Sequence, residues 1–85
     1  MPLFLIERNW AEQLEVTPER AAEVKLINDE IGVSWLLSFL SADKKKTYCL
    51  YEAPTAQLVL EAARRASIPA DVIVEVSELR PELLL

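Results

Sequence analysis

The chain has 85 residues, 52% of them hydrophobic, and a formal net charge of −5 with a pI near 4.6. That acidity argues against nucleic acid as a partner, because phosphate binding needs clustered positive charge to displace counterions. There is no histidine and a single cysteine, so metal or nucleophile chemistry is confined to Cys49, carboxylates and main-chain groups, which removes most enzyme classes.

A chain of this size forms one domain, residues 1–85, and buries only about 60–65% of the surface its unfolded form exposes. The apolar excess on so small a body points to a face covered by a second copy, and a homodimer is expected. The longest apolar-rich stretch, Ile31 to Leu40, is too short to span a bilayer, and the N-terminus lacks the basic region of a signal peptide. With one unpaired cysteine besides, the expected setting is the cytoplasm, with no membrane partner.

Leu3-Phe-Leu-Ile-Glu-Arg-Asn9 has the length and apolar content of a first strand, residues 3–9. An irregular linker follows from Trp10 to Val16. Thr17-Pro18-Glu19 then supplies an N-cap hydroxyl, a proline at the first helical position and an acid in the first turn. The helix expected over 18–31 has Ala21, Val24, Ile27 and Ile31 at helical spacing and stops at Gly32, the only glycine. Residues 33–41 alternate as a second strand, with Val33, Trp35, Leu37 and Phe39 on one face and Ser34, Leu36, Ser38 and Leu40 on the other. Ala42-Asp43-Lys44-Lys45 is a polar connection of hairpin length, and its lysines read as a solvated turn. The third strand covers 46–53. A second helix over 56–67, capped by Thr55, turns Val59, Ala62, Ala63 and Ala66 inward and carries Arg64 and Arg65 near its negative end. The β-branched run after Asp71 makes a fourth strand over 72–79, and the tail from Arg80 to Leu85 is unassigned.

This order of elements, βαββαβ, specifies an α+β, ferredoxin-like fold: a four-stranded antiparallel sheet with two helices on one face. With Phe4, Ile6, Trp35, Leu37, Phe39, Val72, Val74 and Val76 placed under the helices, the bare face collects Leu5, Glu7, Leu36, Ser38, Leu40, Ile73, Glu75 and Ser77. A half-apolar, half-polar surface of that kind suits a dimer interface or the wall of a pocket between sheets. Lysine at Leu36 or Leu40 is then expected to split the dimer.

Cys49 reads first as a small buried hydrophobe, and as a metal thiolate second, because no CxxC pair or Cys-His dyad accompanies it. Glu7 interrupts an apolar strand and needs a partner from another strand or subunit, since its neighbour Arg8 points to the opposite face. Tyr48 and Tyr51 offer large apolar bodies with polar tips.

The segments Pro2-Leu-Phe-Leu-Ile-Glu-Arg8, Val33-Ser-Trp-Leu-Leu-Ser38, Thr47-Tyr-Cys-Leu-Tyr-Glu-Ala-Pro54 and Glu61-Ala-Ala-Arg-Arg-Ala-Ser-Ile-Pro-Ala-Asp71 together resemble a bacterial family of small ferredoxin-like proteins long catalogued as a domain of unknown function. The characterised branch of that family is described as nickel-binding. The resemblance implies a dimer formed through the sheets and a metal-binding role outside catalysis. The nickel-binding branch places a histidine just before the Ala-Arg-Arg run, where this chain has Ala62. A site of thiolate and carboxylates alone holds nickel less well or prefers another ion.

Two functions follow. The first is a small dimeric, non-catalytic protein binding a divalent metal such as nickel, or a small ligand, between its sheets. Its candidate ligand-binding residues are Glu7, Ser38, Tyr51 and Glu75, and its candidate metal ligands are Cys49 and Glu7. The alternative is an isomerase or cofactor-free oxygenase of the dimeric α/β-barrel kind, supported by fold analogy alone.

Overall fold

The computed structural model describes residues 1–84. Strand β1 (Leu3–Asn9) leads through the linker into helix α1 (Pro18–Ile31); β2 (Ser34–Leu40) and β3 (Lys46–Glu52) form a hairpin; helix α2 (Ala56–Ala66) leads to β4 (Val72–Val76). A single 3₁₀ turn, Pro81–Leu83, ends the described chain, and Leu85 of the unassigned tail lies outside the described residues. The sheet order is β2-β3-β1-β4 and every neighbouring pair is antiparallel. Among the described residues no helix is long and apolar enough to cross a membrane.

Local chemistry sets the helix ends. Thr17 accepts from the Arg20 amide at 3.2 Å and Thr55 from the Leu58 amide at 3.3 Å, satisfying amides that have no partner inside the helix. Gly32 takes φ 87°, which closes α1 by letting the Gly32 and Val33 amides both bond the Asn28 carbonyl, at 2.9 and 3.0 Å. Alanines at 62, 63 and 66 let α2 approach closely, and with Val59 they are its buried residues. The core lies between α2 and the middle of the sheet, around Phe4, Ile6, Val33, Cys49, Tyr51 and Ala53.

The register fixes which residues share a face, since directly paired residues of antiparallel strands point the same way. On the helix side, Ser38, Cys49, Ile6 and Ile73 form one row, and Trp35, Tyr51, Phe4 and Glu75 another. On the open side, Leu37, Leu50, Leu5 and Val74 form an apolar row across all four strands, flanked by Phe39, Tyr48, Glu7 and Val72.

Three expectations about faces are corrected. A register irregularity between Trp35 and Leu37 resets the alternation of β2. As a result Trp35, Ser38 and Leu40 face the helices while Leu37 and Phe39 face outward. In β4 the valines stand on the open side and Ile73 packs under the helices, because Val74 pairs Leu5 and Ile73 pairs Ile6. Cys49 likewise pairs Ile6, whereas Glu7 pairs Tyr48. Cys49 and Glu7 therefore lie on opposite faces of the sheet and cannot share a site within one chain.

Candidate binding cavity

The linker that looks least regular in sequence builds the most distinctive part of the molecule. Its chain is pinned to the β2–β3 hairpin by two main-chain bonds, Trp10 to the Lys45 carbonyl and Leu14 to the Lys44 carbonyl, each 2.8 Å. The Trp10 indole donates to Thr47 Oγ1 at 3.2 Å. Held in this way, the linker and the first turns of α1 arch over the helix side of β2 and β3 without filling it. A cavity of about 260 Å³ remains, close to the lower bound of roughly 300 Å³ for small-molecule pockets.

Its floor is the sheet, with Arg8, Thr47, Cys49, Tyr51, Ser38 and Leu40 in the wall; Leu14, Val16 and Val24 give it an apolar roof. Both tryptophans of the chain, Trp10 and Trp35, line it. Every residue of β2 is exposed: one side faces this cavity and the other the bare face, so the strand has full cover on neither.

The polar groups of the wall are largely occupied by one another. Thr47 Oγ1 accepts from Trp10 and contacts Cys49 Sγ at 3.7 Å; Ser38 Oγ accepts from the Trp35 indole at 2.8 Å; Asn28 Nδ2 donates to the Tyr51 hydroxyl at 3.5 Å. Burial pushes the Tyr51 phenol above its ordinary value, against the opposing effects of the Arg8 charge and the Asn28 bond.

Arg8 is the exception. Its side chain is 2% exposed, its guanidinium carbon lies 5.7 Å from the centre of the Tyr51 ring, and Nη1 donates to the Pro69 carbonyl at 2.5 Å. Among the described residues, no carboxylate comes within 4.0 Å of it. Sequence reasoning passed over this residue, although the alternation Phe4, Ile6, Arg8 already places it on the helix side of β1. The tryptophans, Thr47 and Arg20, all in the wall, carry no sequence motif that marks them as site residues. The bond between Trp10 and Thr47 spans 37 positions of sequence and carries no local signal.

Of the residues singled out in the sequence, Ser38, Tyr51 and Cys49 line this one cavity. Glu7 stands on the other face, 3.7 Å from Lys46 Nζ, a partially exposed ion pair across strands β1 and β3. Glu75 is exposed on edge strand β4, outside the cavity wall. Leu40, proposed for the dimer contact, belongs to the cavity instead. Among the described residues no three histidine, cysteine or acidic side chains converge. Cys49 has a hydroxyl neighbour rather than a base, so neither a metal donor set nor an activated nucleophile is assembled.

Comparison with known proteins places this geometry. The family model described as "Nickel responsive protein SCO4226-like" matches residues 4–76. The crystal structure of SCO4226 from Streptomyces coelicolor A3(2) superposes with a TM-score of 0.70 at 21% identity, covering 92% of this chain and 99% of that one; at that identity the likeness shows the fold. No curated protein matches the chain.

Proposed function

The chain belongs to the SCO4226-like family of nickel responsive proteins, and on that premise we propose that it is a non-catalytic binding protein whose ligand occupies the cavity under the linker and whose open sheet face pairs with a second copy. The observation that carries the reading is the cavity itself: a roofed, mostly apolar space with one buried cation and no nucleophile–base pair in its wall. Acid–base chemistry would need a titrating group poised near neutrality. The wall offers instead a phenol shifted upward, the Thr47 and Ser38 hydroxyls engaged in hydrogen bonds, a buried guanidinium and, at Glu15, an exposed carboxylate.

The family description is compatible with metal binding, and this chain's donor set argues against nickel as the cavity's occupant. Cys49 is buried beside Thr47 without a carboxylate or imidazole near it, Glu7 is on the far face, and Ala62 offers no donor. Nickel prefers imidazole and thiolate nitrogen–sulfur sets, and among the described residues none is assembled.

Self-association is supported by the open face. Its central row, Leu37, Leu50, Leu5 and Val74, is apolar from edge to edge, and Phe39 beside it is 65% exposed. With strands about 4.8 Å apart and about 3.3 Å of rise per residue, the face measures roughly 19 by 23 Å, a footprint for the small end of specific interfaces.

The test uses the two tryptophans, both in the cavity wall. A library of small polar and apolar fragments is titrated into the protein while the two indole N–H signals are followed by NMR. Shifts of those signals with saturable dependence on concentration are the expected result. A library of several hundred fragments that leaves both indoles unmoved would refute the binding reading.

A further inference from the structure

Resting on the cavity as a binding site, we infer that its ligand is a small organic carboxylate, with the carboxylate paired to Arg8 and an apolar body of about ten non-hydrogen atoms under the linker. A charge removed from water is tolerated only when paired, and Arg8 is almost fully buried with a single carbonyl and an aromatic face for company. The other charged groups of the wall do not pair with it. Arg20 engages Glu23 at 2.9 Å and the Ala66 carbonyl at 2.5 Å, and Glu15 is exposed at the rim with no ion pair to Arg8. The cavity thus presents an acid-deficient cationic spot in a chain that is acidic overall.

The shape of the donor group selects the anion. A guanidinium carries five N–H donors in a planar fork that matches a carboxylate two bonds at a time, and one of Arg8's bonds is taken by Pro69. The rest of the space selects the body. At roughly 30 Å³ for a water-sized group, a cavity of about 260 Å³ holds one ring or a short branched chain. Trp10 and Trp35 flank it, and Leu14, Val24 and Leu40 add to its apolar lining. Inorganic phosphate would satisfy the arginine and leave those apolar walls uncovered.

The experiment compares benzoate, benzamide and inorganic phosphate by calorimetry and by the indole signals, on the unmutated protein and on Arg8→Lys and Arg8→Met. Benzoate is expected to bind the unmutated protein at least about tenfold more tightly than benzamide or phosphate. The preference over benzamide should shrink in Arg8→Lys, which keeps the charge and loses the fork, and vanish in Arg8→Met. If neither variant folds, the three-ligand comparison on the unmutated protein still decides. Equal binding of benzoate and benzamide in the cavity overturns the carboxylate assignment and leaves the binding reading standing; phosphate binding as tightly as benzoate overturns the apolar body. Benzoate that binds without moving the indoles overturns the assignment of this cavity as its site.

Discussion

Replacing Arg8 by methionine tests the view that this residue is held for a ligand and not for the fold. Methionine has similar length and no charge. The substitution loses the charge-assisted bond to Pro69, worth about 1.5–3 kcal/mol, and the contact with the Tyr51 ring, worth about 0.5–2 kcal/mol. It also removes a guanidinium whose effective desolvation penalty is several kcal/mol. With no carboxylate within 4.0 Å to offset that penalty among the described residues, the two sides nearly cancel. The expected change in unfolding free energy is within about 1 kcal/mol of zero. By contrast, an ordinary core truncation such as Ile6→Ala, at a fully buried position, costs about 2–5 kcal/mol. Urea unfolding followed by circular dichroism, in a buffer free of carboxylates, measures both. Benzoate at a hundred times its dissociation constant should add about 2.7 kcal/mol to the unmutated protein and, with binding weakened about tenfold or more, no more than about half of that to the variant. A loss above about 3 kcal/mol for Arg8→Met without ligand would show that the cation is structural, and the reasoning would fail.

Other perturbations separate the two faces of the sheet. Val74→Lys places a charge in the central row of the open face and is expected to shift sedimentation from dimer to monomer, whereas Leu40→Lys, inside the cavity, should abolish benzoate binding and leave the sedimentation coefficient unchanged. Gly32→Ala meets no neighbouring atom but must hold φ 87°; a loss of about 1–2 kcal/mol in urea is expected from backbone strain alone. Burial raises the Tyr51 phenol above 10.0, so the folded state keeps a proton that the unfolded chain releases. The stability from that group is complete below about pH 10 and declines as pH rises through the folded value, and Tyr51→Phe should flatten that alkaline decline. Cys49→Ser should leave nickel uptake, read by calorimetry, the same as in the unmutated protein.

What the sequence discloses is the chemistry that acts locally. Thr17-Pro18, Gly32 and Thr55 mark helix ends through hydrogen bonds within four residues of themselves, so the elements and their order can be read directly. Faces depend on counting by twos, and one irregularity defeats the count. The register shift at Leu36 turns Trp35 and Leu37 to opposite sides, and no residue type there announces it. In β4 the valine alternation reads as the buried side, but on this edge strand only Ile73 reaches the core and the valines join the bare face. The cavity is the part least legible in the sequence, because residues 10–16 acquire their shape from bonds to Lys44 and Lys45 thirty or more positions away. Arg8 was within reach: the same alternation that buried Phe4 and Ile6 buries it too.

The central claim is that a ligand binds on the helix side of the sheet, under the linker, and not between sheets. It is tested most directly by titrating benzoate into the unmutated protein and mapping backbone and indole signals by two-dimensional NMR. The largest shifts are expected at Trp10, Trp35, Thr47 and Tyr51, with Leu5, Leu50 and Val74 unmoved. Shifts concentrated on the Leu37, Leu50, Leu5 and Val74 row, with the indoles still, would contradict it.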